Sequence, residues 1–174
     1  MKKEVPVTES EVRSKRGRYR LADNFFTFWF RYAVPNLSKL EKGEVREVVR
    51  VIREDFDVYL GKVFEDVAIE FLSRKLEPSK IGRWWHKGEE IDIVALDERK
   101  EEATFVEVKW ADLRERECKR VLDHLRKKSG QVGLRRSREK FGIIARGIAG
   151  KEELRRAGHC VWDLEDIVRG TSSG

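Results

Sequence analysis

The sequence predicts an α/β domain, a mixed sheet flanked by helices, with an all-helical N-terminal extension. Three observations predict it. Apolar residues in Lys62–Leu76 recur at helical spacing. Gly88–Trp110, GEEIDIVALDERKEEATFVEVKW, reads as two short strands joined by a charged turn at Asp97–Glu102. From there to the C-terminus, helices alternate with short apolar strands.

The 174 residues suit one domain with an extension. Hydrophobic and charged residues each make up 40% of the chain, which implies a core beneath a heavily charged surface. The net charge of +6 favours a polyanionic partner only modestly, because 32 acids accompany 38 bases. No run is long enough to span a membrane, and the N-terminus lacks a secretory pattern. Cys118 and Cys160 stand apart, without C-x-x-C or histidine at zinc spacing, so both are expected to be reduced thiols of a cytoplasmic protein. Gln131 is the only glutamine, and Asn24 and Asn36 are the only asparagines, amid abundant Glu, Lys and Arg. That composition suggests a thermophilic source.

Residues 1–20 are basic, with Arg13, Lys15, Arg16, Arg18 and Arg20 close together. Gly17–Leu21 can form an extended strand, but charge runs are usually exposed, so a solvated tail is expected. Asp23 can cap a helix starting at Asn24, and Pro35 should end it. Phe25, Phe26, Phe28, Trp29, Phe30 and Tyr32 are too many for one helix face. Some of them should pack on another module or subunit, a homodimer included; a platform for stacking bases is the sharper alternative. Residues 36–60 form a second expected helix, clearest at Glu44–Phe56, with Gly43 and Gly61 on either side. Its stripe is Val45, Val48, Val49 and Ile52.

In Lys62–Leu76, residues Val63, Phe64, Val67, Ala68, Phe71 and Leu72 form the apolar arc, and Glu65 falls inside it. An acid on a packed face needs a metal, a base or a hydrogen bond; an ion pair with a nearby Arg or Lys is the plain alternative. Ile81–His86 follows as a strand, with a turn at Lys87–Gly88.

The central pair of strands carries the chemistry. Alternation puts Glu90, Asp92, Val94 and Leu96 on one face, with Ile91, Ile93 and Ala95 on the other. On the next strand Phe105, Glu107 and Lys109 share a face. Asp92, Glu107 and Lys109 are then expected to converge. Carboxylates are ligands for Mg²⁺ or Mn²⁺, and an adjacent lysine can position water or neutralise charge developing on a phosphate.

Leu113–Lys128 is the next expected helix, with Leu113, Val121, Leu122 and Leu125 on one side. Residues 114–140 are strongly basic, through Arg114, Arg116, Lys119, Arg120, Arg126, Lys127, Lys128, Arg135, Arg136 and Arg138. A basic stripe beside a metal site suits a DNA backbone; a solvated helix face is the alternative. Phe141–Ala145 and Cys160–Trp162 read as strands, Lys151–Ala157 and Leu164–Val168 as short helical segments, and residues 171–174 as a frayed, disordered tail.

A helix acid, then Asp, then Glu-x-Lys on consecutive strands resembles the PD-(D/E)XK, or restriction-endonuclease-like, nuclease superfamily over residues 61–170. Ile91 stands before Asp92 where that pattern often has proline. The phrases RGRYRLADNFFTFWFRY, IGRWWHKGEEIDIVA and FVEVKW also resemble the C-terminal region of archaeal AAA-type ATPases. There the region follows a P-loop module and a winged helix, so residues 1–22 would be a winged-helix remnant within an extension covering 1–60. No G-x-x-x-x-G-K-[ST] is present, so no ATP site is expected in this chain. The resemblance implies a Mg²⁺- or Mn²⁺-dependent nuclease acting on DNA. Asp92, Glu107 and the Val108 carbonyl would hold the cation, Glu65 and Glu90 would be further candidate ligands, and Lys109 would act on the water. The rival expectation is a non-catalytic domain that binds DNA or a partner ATPase and keeps the acids as an ion-pair network.

Overall fold

The computed structural model describes residues 1–134 and 136–171. It is the expected α/β arrangement: one five-stranded mixed sheet with helices on both faces.

Two short strands come first, β1 (Lys2–Glu4) and β2 (Arg18–Arg20), paired antiparallel. The basic N-terminus is therefore not a solvated tail. Arg20 bonds Glu4 and both carboxylate oxygens of Asp66, and Arg18 pairs with Glu90. The Val7 N–H donates to the Arg83 carbonyl at 2.9 Å, which covers the outer edge of the sheet. Acids distant in sequence match the basic run and hold it down.

The helical extension begins at α1 (Asn24–Phe28), where the Asp23 carboxylate accepts the N–H groups of Phe25 and Phe26 at 2.8 and 3.2 Å. A π turn (Trp29–Ala33) and a 3₁₀ turn (Val34–Asn36) lead into α2 (Leu37–Glu41), so Pro35 tightens the helix rather than ending it. Next, α3 (Val45–Leu76) runs unbroken for 32 residues, straight through the expected boundary at 60/61. Glycine inside a helix costs about 1 kcal/mol. Packing on both halves outweighs that here: Tyr59 seats against Phe28 and Tyr32, and Phe64 meets Trp110 edge-on. A Cβ on Gly61 would lie 3.9 Å from that of Trp110.

The main sheet comprises β3 (Lys80–His86), β4 (Glu89–Asp97), β5 (Glu102–Leu113), β6 (Arg138–Ile148) and β7 (Cys160–Asp163), in that spatial order. The first three are antiparallel neighbours, joined by tight turns at Lys87–Gly88, both at positive φ, and at 98–101. In the second turn the Asp97 carboxylate takes the N–H groups of Arg99 and Lys100. The last three strands are parallel, so each link needs a crossover: α4 (Glu115–Ser129) between β5 and β6, and α5 (Lys151–Arg156) between β6 and β7. Helix α6 (Leu164–Thr171) ends the described chain, and residues 172–174 of the expected tail lie outside it.

The core has two layers. On one face α4 buries Cys118, Leu122 and Leu125 against Val94, Leu96, Phe105 and Ile143. On the other, α3 buries Phe64, Ala68, Phe71 and Leu72 against Ile93, Val106, Val108 and Ile144. Among the described residues no helix is long and apolar enough to cross a membrane.

Candidate functional site

An irregularity in β4 builds the site. Strand β3 pairs Gly82 with Val94 and then Trp84 with Ile91, so Arg83 alone faces both Asp92 and Ile93. That is a β-bulge, which turns the strand and re-aims its side chains. Ile91 was expected beside Ile93; the bulge sends it into the α4-side core with Val94. The β4–β5 ladder ends at Ile93–Val106, and beyond it the Val108 N–H donates to Asp92 Oδ2 at 2.8 Å.

Glu107 follows Val106 on β5 and is 5% exposed. Lys109 Nζ lies 2.9 Å from Glu107 Oε2 and 3.7 Å from Asp92 Oδ2. Lys128 Nζ, from the last turn of α4, lies 2.9 Å from Glu107 Oε1 and also bonds the Glu90 carbonyl at 2.9 Å. Asp92, Glu107 and Lys109 are thus brought together, with Lys128 as a fourth member.

The other two candidate acids stand outside this group. Glu65 gives Oε1 to Lys62 at 3.0 Å and Oε2 to the Arg83 guanidinium at 3.2 and 3.3 Å. The Glu90 carboxylate sits at the surface with Arg18, and the Glu90 carbonyl bonds Lys128. His86 Nδ1 faces Arg16 at 2.6 Å.

Burial and the nearby Glu107 charge push the Asp92 carboxyl up to about 6. Burial would raise Glu107 too, but the Lys109 and Lys128 ammonium groups outweigh it and hold Glu107 below the usual carboxylate range. Burial would lower Lys109, yet Glu107 and Asp92 prevail and keep it above the usual lysine value. Lys109 is therefore an ammonium at neutral pH.

Among the described residues no three of His, Cys, Asp and Glu gather closely enough to cage a metal. Two carboxylates still suit Mg²⁺ or Mn²⁺, which keep several waters and take one or two protein carboxylates. Burial first and the Glu107 charge second raise Asp92, and a divalent cation would offset the second of these. Two carboxylates beside a lysine are a donor set of the kind such an ion takes, and both Glu107 oxygens are here bonded to ammonium groups.

A family described as archaeal and bacterial proteins of unknown function, DUF234, matches residues 29–121. This chain belongs to the DUF234 family. The matched span contains Glu65, Asp92, Glu107 and Lys109 and stops before Lys128. The uncharacterized protein MJECL04 of Methanocaldococcus jannaschii is 44% identical over 177 residues, which cover 96% of this DUF234 chain and 38% of the relative. The chain therefore spans well under half the length of that relative. No solved structure matches it.

The basic stripe of the DUF234 chain divides in two. Arg114, Arg116, Lys119, Arg120, Arg126, Lys127 and Arg138 are exposed. Of these, Lys119 pairs with Glu115, and Arg126 lies over Phe141 with Asp123 3.8 Å away. Arg136 instead turns inward as a structural clamp, bonding the Ser129, Val132 and Leu134 carbonyls and Glu139 over the Phe105 ring. Lys128 belongs to the acid pair rather than to a phosphate-facing surface, and Arg135 lies outside the described residues. Arg83 is the member that sequence reasoning missed, and Lys128 was expected on the phosphate-facing stripe rather than at the acids. Lys128 did leave a signal: it comes three residues after Leu125 and seven after Val121, on the packed face of α4.

Proposed function

We propose that this DUF234 chain is a nuclease-like domain of the PD-(D/E)XK kind, which hydrolyses DNA phosphodiesters with Mg²⁺ or Mn²⁺. The observation that carries the reading is one lysine ammonium lying against two carboxylates, Asp92 and Glu107, where the β4–β5 ladder ends. Asp92, Glu107 and the Val108 carbonyl would hold the cation. When bound, it would supply an activated water and neutralise charge on the phosphate.

Lys109 holds its proton, so its role here is to orient the water and neutralise developing charge rather than to abstract a proton. Glu65 acts from farther out: its charge is felt at Asp92 and Lys109, and Arg83 fixes its side chain. The exposed cations of α4 would grip the phosphate backbone without reading sequence. The sequence resemblance supports a setting at the C-terminal end of an archaeal ATPase system.

A second reading has its own observation. Both Glu107 oxygens are already bonded to ammonium groups, so Glu107 is fully matched within an internal ion-pair network. That suits a non-catalytic domain that binds DNA or a partner ATPase.

DNA cleavage separates the two. The nuclease reading expects cleavage with Mn²⁺ or Mg²⁺ that chelation stops and that Lys109→Ala or Asp92→Asn abolishes. DNA binding without metal-dependent cleavage would support the accessory reading.

A further inference from the structure

Asp92 also lines a recess of about 410 Å³ between β2, α1, α3 and β3. Small-molecule sites typically run from about 300 to 1,000 Å³, so the recess can take a single nucleotide and not a duplex.

Its chemistry differs from that of the α4 surface. Five carboxylates line it against four cations, so the recess as a whole is not basic and suits an uncharged base better than a phosphate. Tyr19 lines it with 71% of its surface exposed. From the preceding position of β2 the Arg18 guanidinium lies 4.6 Å over the Trp85 ring. An exposed aromatic ring and a guanidinium plane are the surfaces on which unpaired bases stack. Asn24 and Lys62 add polar groups to the wall.

The recess adjoins the basic helix. Glu90 lines it, and the Glu90 carbonyl is the group bonded by Lys128 at the end of α4. Lys128 thus links one wall of the recess to the Asp92–Glu107 pair. Asn24 and Thr27 of α1 line the recess, and Phe25, Phe26, Trp29 and Phe30 are not among its lining residues.

We propose that the recess receives one unpaired base of the DNA strand to be cut, so that the substrate is single-stranded or strand-displaced DNA. This deepens the nuclease reading and rests on it for the nature of the ligand.

The test is binding, measured in EDTA, of a short oligodeoxynucleotide carrying 2-aminopurine, as a single strand and as the same sequence in duplex. The single strand is expected to bind at least about tenfold more tightly, with its emission quenched. Tyr19→Ala, at an exposed position, and Thr27→Trp, which fills the recess, should each cut that preference about tenfold; Tyr19→Phe should retain it. Equal affinity for the two forms, or a preference untouched by Tyr19→Ala and Thr27→Trp, overturns the assignment. Cleavage of the same oligonucleotide with Mn²⁺ is scored separately. Tyr19-dependent single-strand binding without cleavage upholds the recess and sinks the nuclease reading. Metal-dependent cleavage of both forms with no Tyr19 effect does the reverse.

Discussion

Lys128 donates to Glu107 Oε1 at 2.9 Å and so ties the end of α4 to the middle of β5. Only 16% of the Lys128 side chain and 7% of the Glu107 side chain are exposed, so the pair is poorly screened. The same ammonium occupies an oxygen that a divalent cation would use.

Lys128→Met should therefore have two opposite effects. Without metal, the loss of a charged hydrogen bond should cost about 2 kcal/mol, seen as a fall in the denaturation midpoint. Glu107 keeps Lys109, which limits the loss. Mn²⁺ should bind the variant more tightly than wild type, by calorimetry, because one competing cation is gone. A variant that is destabilised and also binds Mn²⁺ more weakly would make Lys128 a support of the site rather than a competitor.

Asp92 gives a pH signature. Its folded value, about 6, lies above the ordinary 3.8. A raised carboxyl favours folding when protonated, so its contribution is fully present below about pH 4 and is lost as pH rises through about 6. The loss is on the order of 3 kcal/mol. In chelator at about pH 8, Asp92→Asn should be more stable than wild type, and near pH 4 the two should converge. The Glu107 contribution has the opposite sign, because its carboxyl is depressed: it is lost only as pH falls below the ordinary glutamate range. Urea denaturation of both proteins across this range checks the prediction, and an Asn variant that is less stable at every pH contradicts it.

The exposed part of the basic stripe should bind DNA through counterion release. Arg116, Arg120 and Lys127 are exposed. Changing each to Gln should weaken binding uniformly across sequences and reduce the slope of log K against log salt by about 1 per residue. Arg136→Gln should instead lower stability, because it removes the guanidinium that donates to three backbone carbonyls at and just after the end of α4. An Arg136 effect on DNA affinity at unchanged stability would show that the inward clamp is misassigned.

The β4–β5 pair was legible because strand periodicity and a turn of charged residues lie next to each other in the sequence. The bulge was not, because Asp92 and Ile93 read the same with or without an extra residue opposite Arg83. The N-terminal charges looked solvated because their partners Asp66 and Glu90 lie about 46 and 72 residues away in the chain. Gly61 looked like a stop, but tertiary packing along α3 overrides local propensity. In the expected stripe of residues 45–52, only Val48 is fully buried, while Val45 is 52% exposed. Glu65 was correctly placed near the packed face, but its cation, Arg83, is on another element and left no mark in the helix pattern.

Mn²⁺ binding to the full chain by titration calorimetry at neutral pH tests the central claim most directly. Asp92 and Glu107 should take up one ion together, with affinity falling as pH drops below about 6 because Asp92 must release its proton. The double variant Asp92→Asn, Glu107→Gln should bind none. Wild-type protein that binds no Mn²⁺, or a double variant that binds it as wild type does, would contradict the account.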